Sequence, residues 1–338
     1  MTKIYHCPNC GGELRFEPES QTCHCDYCQS QISLAELTKN NQKQPQLFRE
    51  PPQHYYCPAC GAEIFTKETT LATFCCYCHN PVIISDRLYD KREPDGIIPF
   101  QISRQEAINR FLDWRKGKWF TAKGFAAPKQ LEKITGLYLP YWLSEGEVNV
   151  QLNAKASASH SWQNGNVRYT EVSEYQIVRE GSISFQHIFH QALNHDEAKL
   201  LTCIQSFDYS QLKPFDMAYL AGFLAEQKDI EQNSIALSLD KELRQYSESL
   251  LMRTVQGYDR VYSCQYQIDL VNTDSRYVLL PVWLLSYPYH GRNYLFALNG
   301  QTGAVYGELP LSRGKFCGLF GTVFTAVSLL SFIIGGLL

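Results

Sequence analysis

Eight of the thirteen cysteines stand in pairs with two residues between them, a spacing that presents two sulfurs to one ion. Cys7-Pro8-Asn9-Cys10-Gly11 is matched by Cys25-Asp26-Tyr27-Cys28, with fourteen residues separating the pairs. Cys57-Pro58-Ala59-Cys60-Gly61 is matched by Cys75-Cys76-Tyr77-Cys78 across the same gap, so the pattern recurs at a shift of 50 residues. Thiolates in fours favour a tetrahedral ion, and Zn2+ is the usual one. Gly after each leading pair permits the positive φ by which the backbone wraps back toward a metal. The expectation is two structural zinc ions. Cys7, Cys10, Cys25 and Cys28 hold one, and Cys57, Cys60, Cys75 and Cys78 hold the other. Iron accepts the same ligands and is the lesser alternative, followed by a disulfide framework.

The repeat also separates ligands from bystanders. At the 50-residue shift Cys23 meets Thr73 and Cys76 meets Asp26, so both read as spare, as do His6, His24 and His79. Cys23 or His24 stands near enough to exchange with a ligand. A shell of four sulfurs leaves no position for a reactive water, so each site reads as structural. Units this short cannot fold on apolar burial alone, and zinc supplies about 10–16 kcal/mol of apparent binding energy to such peptides.

Signatures of catalysis are missing. Gly117-Lys118 runs into Trp119 and Gly314-Lys315 into Phe316, so neither is a phosphate loop, and no GxGxxG, HExxH or GxSxG occurs. His187, His190 and His195-Asp196 form the other candidate metal cluster, against a plainer reading as surface and turn histidines. Cys203, Cys264 and Cys317 are isolated and read as buried small hydrophobes. The chain is read as a non-enzyme with no small-molecule substrate. A net charge of −3 and the acidic loop Glu13-Leu14-Arg15-Phe16-Glu17-Pro18-Glu19 argue against nucleic acid.

The elements that must position these residues fall into five segments of the 338. Zinc ribbons occupy 1–37 and 55–92, joined by a Gln-, Asn- and Pro-rich flexible linker at 38–54. An α+β body with antiparallel sheet follows at 93–312, and a transmembrane anchor at 313–338. In the body, Ser103 and Glu106 form a capping box for a helix to Trp114, and Pro128 opens another to Ile134. Helices are also expected over Phe215–Glu226 and Ser234–Val255. Strands are expected over Glu147–Ala156, Val167–Phe185, Val261–Val271, Tyr277–Tyr289 and Tyr294–Leu298, with a turn at Asn299-Gly300. Leu139-Pro140-Tyr141-Trp142-Leu143 echoes Leu280-Pro281-Val282-Trp283-Leu284, which suggests two related halves or a chance recurrence at strand starts.

Phe316 to Leu338 carries no charge and would reach about 34 Å as a helix, against a hydrocarbon core of about 30 Å. A buried core helix or a re-entrant segment is the alternative. Arg313 and Lys315 precede it, and positive flanks stay cytosolic. The opening Met1–Cys7 holds no apolar run of a signal peptide. The expected location is the cytoplasmic (inner) membrane, single-pass, with the bulk of the chain in the cytoplasm and its cysteines reduced. Gly318, Thr322 and Ala326, then Ser331 and Gly335, give a small-residue stripe for a helix partner.

The cysteine units resemble transcription-factor-IIB-type zinc ribbons and rubredoxin-type knuckles. The CPxCG ribbons stand with Ile98-Pro99-Phe100, Leu139-Pro140-Tyr141-Trp142, Tyr219-Leu220-Ala221-Gly222-Phe223, Leu280-Pro281-Val282-Trp283 and Asn299-Gly300-Gln301-Thr302-Gly303. That combination resembles bacterial zinc-ribbon membrane proteins often labelled primosomal-protein-N′-like or PriA-like. The missing nucleotide loop speaks against a helicase. The resemblance implies association with phage-shock-protein-A and SPFH-domain proteins in a membrane-stress complex, hence an adaptor recruiting cytosolic protein partners. A membrane-held zinc-ribbon nucleic-acid-binding protein is the rival reading, and an enzyme using the aromatic-rich body the third.

Overall fold

The computed structural model describes residues 2–41, 54–64, 66–88, 93–194 and 206–337. Helices and mainly antiparallel strands make up the chain, as an α+β protein should. It divides into two compact units. The first is Met1–Leu139, His195–Gln227 and Leu279–Leu338; the second is Pro140–Asn194 and Lys228–Val278. Both cysteine units and the terminal helix belong to the first unit.

The second unit rests on two matched periodicities. Along the strand Thr135–Asn164, the side chains of Val148, Val150, Leu152, Ala154 and Ala156 are buried at every second position. Its antiparallel partner Val167–Gln191 follows a tight turn at Gly165, where φ is 62°. The helix Gln232–Arg253 buries Ile235, Leu239, Leu243, Ser247 and Leu251, one residue per turn. Leu239, Leu243 and Leu251 join the strand residues, Ile177 and Ile268 in one core.

In the first unit the aromatic motifs converge. The Phe100 ring stacks on Phe223 with centroids 4.2 Å apart, and Tyr138 and Trp283 close on it at 5.0 Å each. A Cβ on Gly300 would lie 2.5 Å from the Phe100 ring, so only glycine fits there.

The two Leu-Pro-x-Trp segments do the same work in separate units. Trp283 Nε1 donates to the carbonyl of Ile102, two residues before the helix Arg104–Arg115. Trp142 Nε1 donates to the carbonyl of Ile230, two residues before the helix Gln232–Arg253. The Tyr138 hydroxyl accepts from the Phe100 N–H, and the Tyr277 hydroxyl from the Lys228 N–H. The Pro281 carbonyl accepts from Gly300, and that of Pro140 from Ala192. Each unit thus joins the strands of one segment to the helix of the other.

Several elements differ from expectation. Phe215–Glu226 is not a helix: Met217–Leu220 is a single 3-10 turn capped by Asp216, and Leu224–Glu226 is a strand. Gly222 between them has φ of 90°, and pairing of Leu224 with Leu137 and of Ala225 with Ala72 outweighs the helical pattern. Val261–Val271 and Tyr277–Tyr289 are one strand, Arg260–Tyr289. The helix expected to Ile134 stops at Leu131. Helix Leu34–Asn41 runs into the expected linker, most of which lies outside the described residues, as does Cys203. Ser103 caps Arg104–Arg115 as expected, its hydroxyl accepting from the Glu106 N–H.

The apolar C-terminal segment is helical over Arg313–Leu337. Its side chains are described as far as Leu329, a length of about 25 Å at 1.5 Å per residue. Among the described residues no helix is long and apolar enough to cross a membrane, so the expected span is not found among them.

Leu243 is 1% exposed and Leu237, on the same helix, 83%. Leu243→Ala should lower unfolding free energy by about 2–5 kcal/mol in a denaturant titration, whereas Leu237→Ala leaves the midpoint in place.

Candidate metal centre

Four tight backbone turns build the two sites. In each leading turn the N–H of the following glycine bonds back to the first cysteine's carbonyl, Gly11 to Cys7 at 2.8 Å and Gly61 to Cys57 at 2.9 Å. These glycines take φ of 76° and 74°, as the sequence predicts. The trailing turns repeat the bond, Gln29 to Cys25 and His79 to Cys75, both at 2.9 Å. Here the left-handed residue is Gln29 or His79, each at φ 60°, with no glycine to announce it. Gly12 serves a different need: a Cβ there would meet the Tyr27 ring at 2.6 Å.

Short strands bring the turns together. Leu14–Glu17 pairs with Thr22–Cys25, Leu14 opposite Cys25 and Phe16 opposite Cys23. In the second unit of the repeat, Tyr55–Tyr56 pairs with Glu63–Ile64 and Thr70–Phe74 with Pro81–Ile84. The two repeats also touch, since Thr2–Lys3 pairs with Ile83 and Ile84, and Ile4 joins the apolar cluster of Tyr55, Cys57, Ile64, Cys75, Val82 and Ile84.

The eight expected cysteines fall into two groups, Cys7, Cys10, Cys25 and Cys28, and Cys57, Cys60, Cys75 and Cys78, with the sulfurs of each within 4.8 Å of one another. Across the pairs, Cys7 lies 3.6 Å from Cys28, Cys10 3.5 Å from Cys25, Cys57 3.6 Å from Cys78 and Cys60 3.7 Å from Cys75. A tetrahedron with metal–sulfur bonds of about 2.3 Å has edges of about 3.8 Å, and a disulfide would need about 2.0 Å. The sulfurs fit the ion, and all eight thiols are free. Hydrogen bonds from the Ser30 hydroxyl and backbone hold the Cys28 thiol down to about 6, and backbone bonds from Cys78 and Tyr77 hold Cys75 down to about 7. Cys10 and Cys78, despite a lowering backbone bond each, are pushed up to about 12 by bonds from the neighbouring cysteines and by desolvation. Donors aimed at sulfur favour the thiolate, the form that binds metal. A zinc ion held there would supply cross-linking, with all four positions filled by sulfur.

The bystanders have other work. Cys23 is wholly buried and burial pushes its thiol up to about 12, while Cys76 is exposed. His6 meets the Gly11 carbonyl at 3.1 Å and His24 meets Gln29 at 3.1 Å. Among the described residues no third cluster of metal-capable side chains forms. His190 instead faces Glu242 at 3.2 Å, and His195 lies outside the described residues. Cys264 is half-buried as a packing residue, but Cys317 is exposed, against expectation.

Elemental analysis of the reduced protein should return about two zinc ions per chain, falling to about one for Cys25→Ser or Cys75→Ser. Cys23→Ala and Cys76→Ser should keep both ions. A red-brown protein would assign iron instead.

No family model matches the chain, and no solved structure does. It is 38% identical over 340 residues to the uncharacterized protein YdjG of Bacillus subtilis (strain 168), covering 99% of each sequence. Identity at that level from end to end means that the chain belongs to the YdjG family.

Proposed function

We propose that this protein is a non-catalytic, zinc-stabilised adaptor, held at the cytoplasmic membrane and presenting its ribbons and body to cytosolic protein partners. The observation that carries this reading is the closure of both four-cysteine sites by sulfur alone, which suits a cross-link and leaves no coordination position for substrate. Tyr27 and Tyr77, at equivalent places between the last two cysteines of each site, are 80% and 67% exposed. Aromatic side chains left in solvent on a metal-braced turn suit a protein contact, where tyrosine is over-represented. The uncharged run 316–338 supports the anchor. SPFH-domain and phage-shock-protein-A-like proteins, the partners the resemblance implies, are the first to look for.

Purification of the full chain in mild detergent, with mass spectrometry of what accompanies it, tests the reading. A protein partner should be recovered, and should be lost after zinc chelation or in the Tyr27→Ala/Tyr77→Ala double variant. Recovery of nucleic acid without protein would replace the adaptor by a nucleic-acid binder.

A further inference from the structure

Between Arg115 and Lys133 the chain holds six basic residues (Arg115, Lys116, Lys118, Lys123, Lys129 and Lys133) against one acid, Glu132, although the whole protein is at −3. The same stretch is bonded to the foot of the terminal helix. The Ala122 N–H donates to the Pro310 carbonyl at 2.8 Å, and the Ser312 N–H to the Phe120 carbonyl at 2.7 Å. Lys315 Nζ reaches the carbonyls of Trp119 and Thr121 at 3.1 and 2.8 Å, and the Phe120 and Phe316 rings meet edge-on at 5.9 Å. A lysine in a helix's first turn is repelled by the positive end of the dipole, so the two loop carbonyls are what hold this one. They fix Trp119 beside the first turn.

Trp119 is nevertheless 82% exposed, and Leu311, bridged to Thr121, and Phe316, against Phe120, are 60% and 63% exposed. Lys118 is committed to the Trp114 ring, 3.7 Å from its centroid, whereas Lys116, Lys129 and Lys133 are exposed. Indole side chains partition to the headgroup level of bilayers, and lysine clusters next to a membrane helix are drawn to anionic lipid.

We propose that the 115–133 segment is a collar that seats the first unit on an anionic phospholipid surface, with Trp119 entering the headgroup layer and Lys116, Lys129 and Lys133 facing its phosphates. This rests on the membrane-anchor reading above. Lipid is favoured over a protein groove because the collar is fastened to the foot of a helix that carries no charge from Phe316 onward, and its own charge complements acidic headgroups.

The test uses the full chain in vesicles of phosphatidylcholine and phosphatidylglycerol whose acyl chains carry bromine near the headgroup, a short-range quencher of indole. Wild-type fluorescence should be quenched, and Trp119→Phe should lose at least about half of that quenching, since Trp142 and Trp283 are buried, Trp114 is half-buried and Trp162, at 45%, is less exposed than Trp119. Replacing phosphatidylglycerol by phosphatidylcholine should weaken the quenching in wild type but not in a Lys116→Glu/Lys129→Glu/Lys133→Glu variant. Retention of the protein in alkaline carbonate with quenching unchanged by Trp119→Phe overturns the collar alone, leaving Trp119 for a protein partner. Release by carbonate overturns the anchor and the collar together.

Discussion

Four cysteine sulfurs gathered within 4.8 Å suit a cation among them, since as thiolates they would otherwise repel one another, and the N-terminal half of the first unit is arranged around these two clusters. Fixing Cys25 fixes its strand partner Leu14, and two residues on, Phe16 is delivered to the body. There its N–H donates to the Ala221 carbonyl at 2.8 Å, and its ring meets Tyr219 at 5.2 Å and Phe223 at 6.4 Å. Phe223 in turn stacks on Phe100, the centre of the aromatic core. The second site acts through its sheet, since Thr70–Phe74 pairs with Leu224–Glu226. The geometry of the cysteine sites is therefore passed to the body through Phe16 and this strand pairing, with Gln21 donating to the Phe100 carbonyl and Thr38 to Asp216 beside them.

The metal sites were legible because their chemistry is local: a Cys-x-x-Cys turn encodes its ligands, and the 50-residue repeat exposes the extra cysteines. Cys23 shows why the repeat was needed. It stands two residues from Cys25 on the same face of one strand, yet faces Phe16 and Ile32 across the sheet and is buried. The left-handed backbone at Gln29 and His79 was not legible, since neither position carries the glycine that marks such a turn. Strand alternation revealed the buried face of Thr135–Asn164, and the helix expected over Ser234–Val255 is found as Gln232–Arg253. Pairing between distant segments left no such trace. Leu224–Glu226 is a strand because Leu137 and Ala72 are its neighbours, a fact that its own apolar period contradicts.

The Leu-Pro-x-Trp echo is a case where the sequence signal was faint and its physical content is strong. Buried backbone carbonyls require donors, and the carbonyl two residues before a helix lies outside the helix's own ladder. An indole meets that need and fills the space above it, in the first unit at Ile102 and in the second at Ile230. The exchange of helices between strand sets follows: each tryptophan reaches the helix entry that is far from it in sequence. Closing such long loops costs little more than closing short ones, because loop entropy grows only logarithmically with length.

What the fold does not use is as informative. Phe100, Phe223 and Trp283 are wholly or nearly buried, so the protein has the means to shelter large rings. Trp119, Tyr27 and Tyr77 remain in solvent on segments whose backbones are tightly fixed, by Lys315 for the first and by the cysteine turns for the others. Fixing the backbone removes the entropy that a flexible loop would lose on binding, and leaving the ring exposed reserves its apolar area for a second surface. Stability alone accounts for neither choice, whereas the docking proposed above would account for both.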